Sequence, residues 1–110
     1  MKQSAKLEQL LWVYFSREWF NATQLALLFD KNIGDYISKP DTLEYIAIAC
    51  KRNNIADLNS LIVHKEDAVW MSPLLIANYG YWLDTDFSIW QNEMVAEMLN
   101  KGVINYNPLR

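Results

Sequence analysis

A chain of 110 residues, 52% apolar and 14% aromatic, fits one compact domain with its own core, which excludes a second domain and argues against disorder. A lone Cys50 excludes an intramolecular disulfide framework and fits a reducing compartment, and no apolar stretch reaches the ~18 residues of a membrane span. The net charge of −3 weighs against a simple polyanion binder, whose affinity rests on neutralising phosphates.

The run KLEQLLWVYF, from Lys6 to Phe15, keeps Leu7, Leu10, Leu11 and Tyr14 at helical spacing, while LLWVYF alone suits a buried strand, so both readings stand. Charged Glu8 and the missing small-residue cleavage site argue against a signal peptide, and a cytoplasmic location is expected. Ser16-Arg17-Glu18 breaks the run, and Trp19-Phe20 reads as a short strand or a hydrophobic staple.

Asn21 is a good N-cap, because its side-chain oxygen can accept from the free amides of a first turn, and Gln24 takes the capping-box position. Ala22, Leu25, Ala26 and Phe29 line one face of a helix over 22–29. Asp30-Lys31-Asn32 reads as a tight turn, since Asp and Asn tolerate left-handed backbone. A short helix over 33–38 turns Ile33, Tyr36 and Ile37 inward, and Pro40 ends it. Asp41, with Glu44 three residues on, is expected to cap a third helix whose buried stripe is Leu43, Ile46, Ala47 and Cys50. Lys51 and Arg52 close that helix against the negative end of its dipole, and Asn53-Asn54 stops it.

LIVHKEDAVWM, residues 61–71, reads as a β-hairpin with a charged turn at Lys65-Glu66-Asp67. Ser72 caps and Pro73 opens a helix carrying Leu74, Leu75, Ala77, Tyr81 and Trp82 to about Leu83. Asp84 or Thr85 caps a last helix, where Phe87, Trp90, Met94, Met98 and Leu99 follow the helical period and Gly102 ends it at C′. The expected fold class is α+β: a small, mostly helical single domain over 1–110, with a winged helix-turn-helix-like arrangement and one β-hairpin.

Two blocks carry a family resemblance: WFNATQLA, Trp19 to Ala26, and VWMSPLLIANYGYWLDTDFSIWQNEMV, Val69 to Val95. In them an aromatic-apolar pair precedes Asn-Ala-Thr, and a Trp and a Pro lead into an apolar helix ending in Trp-Leu. Over about residues 10–102 the sequence resembles the KilA-N domain of phages, bacteria and large DNA viruses, which is related to the APSES DNA-binding domain of fungal regulators. The chain departs from that pattern in having Ser72 where the family commonly has His, a hairpin without glycine, and fewer Lys and Arg. The matching positions Asn21, Ala22, Trp70, Pro73, Trp82 and Leu83 are mostly of the kind that set the fold.

The resemblance implies a DNA-binding module, a transcription regulator of phage or mobile-element type. Helices 22–29 and 33–38 would form the helix-turn-helix and the hairpin its wing. Lys31, Lys39, Lys51, Arg52 and Lys65 are the candidate phosphate contacts, and Asn32 and Ser38 the candidates for base edges. Five phosphate contacts imply a log–log salt slope of about −4.5. The charge is distributed to match: residues 1–30 balance to zero, 31–65 carry +1, and 66–110 carry −4. Asn21 and Thr23 read as helix caps, and Trp70, Trp82, Phe87 and Trp90 as core.

No enzyme, cofactor or metal site is expected. Cys50 lies on an inferred buried face and His64 is the only histidine, so neither a Cys–His pair nor a zinc site suggests itself. Asp84 and Asp86 flank a helix start, and Glu97 can pair with Lys101 one turn on. The expected partners are double-stranded DNA and a second copy of the chain, since one small reading helix gives little affinity; no membrane is expected. The acidic balance supports a rival: a protein-interaction module that keeps the fold with little DNA binding and antagonises a host or phage protein.

Overall fold

The structure, a computed structural model, describes the backbone of residues 2–101 and side chains from Ala5 onward. Helix α1, Lys2–Ser16, settles the ambiguous opening run. Leu10 is fully buried and Leu7, Leu11 and Tyr14 pack against the core, while Trp12 and Phe15 stay 77% and 61% exposed. The Ser16 hydroxyl donates to the Val13 carbonyl at 2.9 Å and Arg17 turns left-handed (φ 61°), which ends the helix.

Strand β1 is only Phe20–Asn21 and runs straight into α2, Ala22–Leu28. Asn21 Oδ1 accepts from the Gln24 amide at 3.0 Å, the expected cap. At the far end Lys31 N–H reaches the Ala26 carbonyl at 2.9 Å and Asp30 N–H the Leu27 carbonyl at 3.0 Å, with Asp30 at φ 57°. This is a Schellman close with aspartate in the usual glycine position, and it forms the tight turn. Helix α3, Ile33–Ile37, follows, with Asn32 Oδ1 accepting from the Gly34 amide at 2.8 Å.

Helix α4, Pro40–Arg52, corrects two expectations. Its N-cap is Lys39 rather than Asp41, because Pro40 brings a preset φ to the first helical position and needs no amide partner there. Its inward face is Thr42, Ile46, Ala49 and Cys50, while Leu43 (46% exposed) and Ala47 sit on a flank. The i, i+4, i+8 row Thr42–Ile46–Cys50 faces the core, and Leu43 with Ala47 borders a groove beside Leu58. A second Schellman close, Ile55 N–H to the Cys50 carbonyl at 2.8 Å with Asn54 at φ 56°, ends the helix.

The hairpin is β2, Ile62–Lys65, and β3, Ala68–Met71. With β1 it forms an antiparallel sheet of order β1-β3-β2, pairing Phe20 and Ile62 with Met71, and Asn21 and Val63 with Trp70. Phe20, Ile62, Val69 and Met71 are buried on one face, while Asn21, Val63 and Trp70 share the other. Val69 N–H, just past the end of β1, is completed by Thr23 Oγ at 2.8 Å. Thr23 therefore bolts α2 to the sheet instead of capping the helix.

After a 3₁₀ turn at Pro73–Leu75, with the Ser72 hydroxyl accepting from the Leu74 amide, come α5, Ile76–Leu83, and α6, Thr85–Asn100. Asp84 Oδ2 caps α6 at the Phe87 amide, 3.2 Å away. Leu75, Ile76, Tyr79, Gly80 and Leu83 face inward, and Leu74 and Tyr81 face out. On α6 Phe87 is fully buried and Trp90 packs on the core, whereas Leu99 is exposed. Glu97 and Lys101 pair at 2.6 Å on the surface, where such a pair adds little stability. The expected stop at Gly102 lies outside the described residues. The small α+β class holds. No helix among the described residues is long and apolar enough to cross a membrane.

Candidate nucleic-acid interface

The seven sequence-derived candidates fall on the α2–α3 turn, both ends of α4 and the hairpin tip. Lys31 leaves the Schellman turn toward α5. Its ammonium donates to the Trp82 carbonyl at 2.5 Å and stands 4.9 Å from the Trp82 ring centre. A cation there meets both the negative end of α5 and the face of an indole. Lys31 is thus engaged within the fold. Asn32 is exposed, with its carbonyl oxygen spent on the Gly34 amide.

Ser38 and Lys39 are exposed between α3 and α4. Lys51 and Arg52 are exposed in the last turn of the same helix, about 18 Å along its axis from Lys39. Lys65 is exposed where β2 enters the turn, beside Glu66 and Asp67. Asp41 and Glu44 are also exposed on α4, so its amino-terminal half is acidic and its carboxy-terminal end basic. One helix and one hairpin thus carry four exposed cations, Lys39, Lys51, Arg52 and Lys65.

Spacing along the sequence conceals how aromatic contacts hold this surface up. Tyr36 from α3 meets Tyr79 edge-on at 4.8 Å and Trp82 at 5.3 Å. Its hydroxyl donates to Asn78 Oδ1, and the Tyr79 hydroxyl donates to the Ala22 carbonyl, both at 2.5 Å. Burial raises both phenol pKa values well above the ordinary tyrosine value, helped by Tyr45 beside Tyr36 and by Tyr36 beside Tyr79. The two tyrosines stay neutral donors and lock α3 and α2 onto α5. Cys50 is buried on the inward face of α4 and His64 is exposed on β2, and among the described residues no three metal-ligating side chains cluster.

No curated protein and no solved structure matches the chain. The family model of the KilA-N domain, a family that typically binds DNA, matches residues 8–101, and the chain belongs to that family.

Proposed function

We propose that this chain binds duplex DNA, with α4 in the major groove and the β2–β3 hairpin as a wing, and that it acts by binding rather than catalysis. The observation that carries this reading is the placing of exposed cations at both ends of one helix, Lys39 against Lys51 and Arg52, with Lys65 exposed at the hairpin tip. A span of about 18 Å brackets a major groove about 12 Å wide, so the two ends can meet phosphates on both banks. The reading helix moves from 33–38 to α4, because the five-residue α3 spans only about 7 Å. The order β1, helices, β2, β3, with β3 central, supports the winged helix-turn-helix reading.

In this reading the protein is a cytoplasmic regulator of phage or mobile-element type that acts as a dimer. Retention on randomised duplexes at low ionic strength tests it. Retention should fall with salt and should be lost in a Lys39→Glu/Lys51→Glu double variant. Salt-independent behaviour, or an unaffected double variant, would overturn it.

One observation favours a second reading, an acidic protein-interaction module. Asp41, Glu44 and Ile48 are exposed on α4, flanked by Leu43, Tyr45 and Leu74. That surface suits a partner with a basic, partly apolar face that antagonism of a DNA-binding protein would require. Affinity capture from host lysate without a stoichiometric partner would count against it.

A further inference from the structure

A cleft of about 370 Å³ opens where α3, the start of α4 and α5 converge, lined by Tyr36, Lys39, Asp41, Thr42, Asn78 and Tyr81 among others. Its volume falls within the range of small-ligand sites. Three features point to a ligand. No side chain caps α4, and the first backbone bond of that 13-residue helix is Leu43 N–H to the Lys39 carbonyl, which leaves the amides of Asp41 and Thr42, two residues that line the cleft, without a helical partner. Thr42 is only 3% exposed and lines the cleft, and its hydroxyl has no hydrogen-bond partner among the described residues. Asn78 has its carbonyl oxygen fixed by the Tyr36 hydroxyl, which turns its amide into a donor of settled orientation.

We propose that this cleft binds a nucleoside monophosphate, with the phosphate on Lys39 and the α4 amino-terminus and the base against Tyr81. A helix amino-terminus with an adjacent ammonium favours an anion, and the Thr42 hydroxyl supplies a further donor. Tyr81 is 67% exposed and its ring is open to stacking, whereas Trp82 is already engaged by Lys31 and Tyr79. The Asn78 amide can donate to a base carbonyl. Asp41 on the rim accepts from a sugar hydroxyl or an exocyclic amine, and its charge disfavours a di- or triphosphate. The nucleotide comes either free or from an unpaired position in a strand. The site shares Lys39 with the proposed duplex surface but also uses Thr42 and Tyr81, which duplex reading does not.

Calorimetric titration of the full chain at low salt with thymidine monophosphate, thymidine triphosphate, inorganic phosphate and a short oligothymidylate tests the proposal. The monophosphate should saturate one site and bind about tenfold more tightly than inorganic phosphate, the contribution of one base–aromatic stack. Tyr81→Ala should reduce it to the level of phosphate, and Thr42→Val should weaken both ligands. The triphosphate should bind more weakly than the monophosphate. Saturation by the oligonucleotide alone assigns the ligand to a strand, and saturation by the monophosphate assigns a free nucleotide. The proposal is overturned if neither saturates, or if Tyr81→Ala leaves binding unchanged. Tyr81 is a surface residue, so its variant folds whatever the outcome, and duplex retention is scored separately.

Discussion

The Thr23 hydroxyl accepts the Val69 amide at 2.8 Å, and in doing so lengthens a two-residue strand by one hydrogen bond. Without it a part-buried N–H on the central strand has no partner. Thr23→Val keeps the shape and removes the acceptor, so it should lower unfolding free energy by about 1–3 kcal/mol in urea denaturation, and Thr23→Ser should recover most of it. A neutral valine variant would show that water completes Val69 instead.

Gly80 lets α5 and α6 meet. A Cβ at that position would lie 2.4 Å from Phe87 Cε2, and Phe87 is fully buried, with no room to retreat. Gly80→Ala should therefore destabilise by about 1–3 kcal/mol despite alanine's better helix propensity, and pairing it with Phe87→Leu should cost less than the two changes summed. Thermal denaturation of the two single variants and the double variant closes the cycle.

The hairpin turn works with the wrong residues. Glu66 and Asp67 adopt φ of 53° and 60°, the left-handed pair of a type I′ turn, where Asn-Gly is favoured. Replacing them by Asn-Gly should raise the unfolding free energy by about 0.5–1 kcal/mol, read from the denaturant midpoint, without altering any packed contact. It would also remove two negative charges beside Lys65, so duplex retention should rise in the same variant.

Alkaline pH should unfold the domain through Tyr36 and Tyr79. Both folded pKa values are raised, so their contribution is complete below the unfolded tyrosine value near 10 and is lost as pH climbs from there toward the folded values. Between those limits stability should fall by about 1.4 kcal/mol per pH unit for each tyrosine. Denaturant midpoints measured from pH 9 to 11 check this, and Tyr36→Phe should make the decline shallower.

Lys31 separates fold from binding. With its ammonium on the Trp82 carbonyl, four exposed cations remain, and the log–log salt slope for duplex DNA should be about −3.6, not −4.5. Lys31→Met should lower stability and leave that slope unchanged. A slope reduced by about one in this variant would put Lys31 on a phosphate after all.

The sequence showed most of the elements, because capping and period act over three or four residues. Asn21, Pro73 and Asp84 mark helix starts legibly, and Leu10, Ala26 and Phe87 mark inward faces. Legibility failed where the deciding partner is distant. Nothing near Lys31 announces Trp82, 51 residues on, and nothing near Thr23 announces Val69. On α4 Leu43 is a better hydrophobe than Thr42 and draws the expected face toward itself, yet the buried row through Ile46 and Cys50 passes through Thr42. The candidate surface suffered the same way: charges can be counted along the chain, but their spacing at the two ends of α4 appears only once Pro40 starts the helix.

The strand order β1-β3-β2 has a consequence for solubility. β1 is too short to template a neighbour, so β2 is the one four-residue strand in the described sheet with an unpaired side. His64 and Lys65 occupy half of that strand and are exposed. Their solvated side chains keep two molecules from zipping together strand against strand, which a more apolar outer strand would invite. The cation that would steady a wing on DNA thus also guards the open edge of β2, so removing it should cost dispersity before it costs affinity.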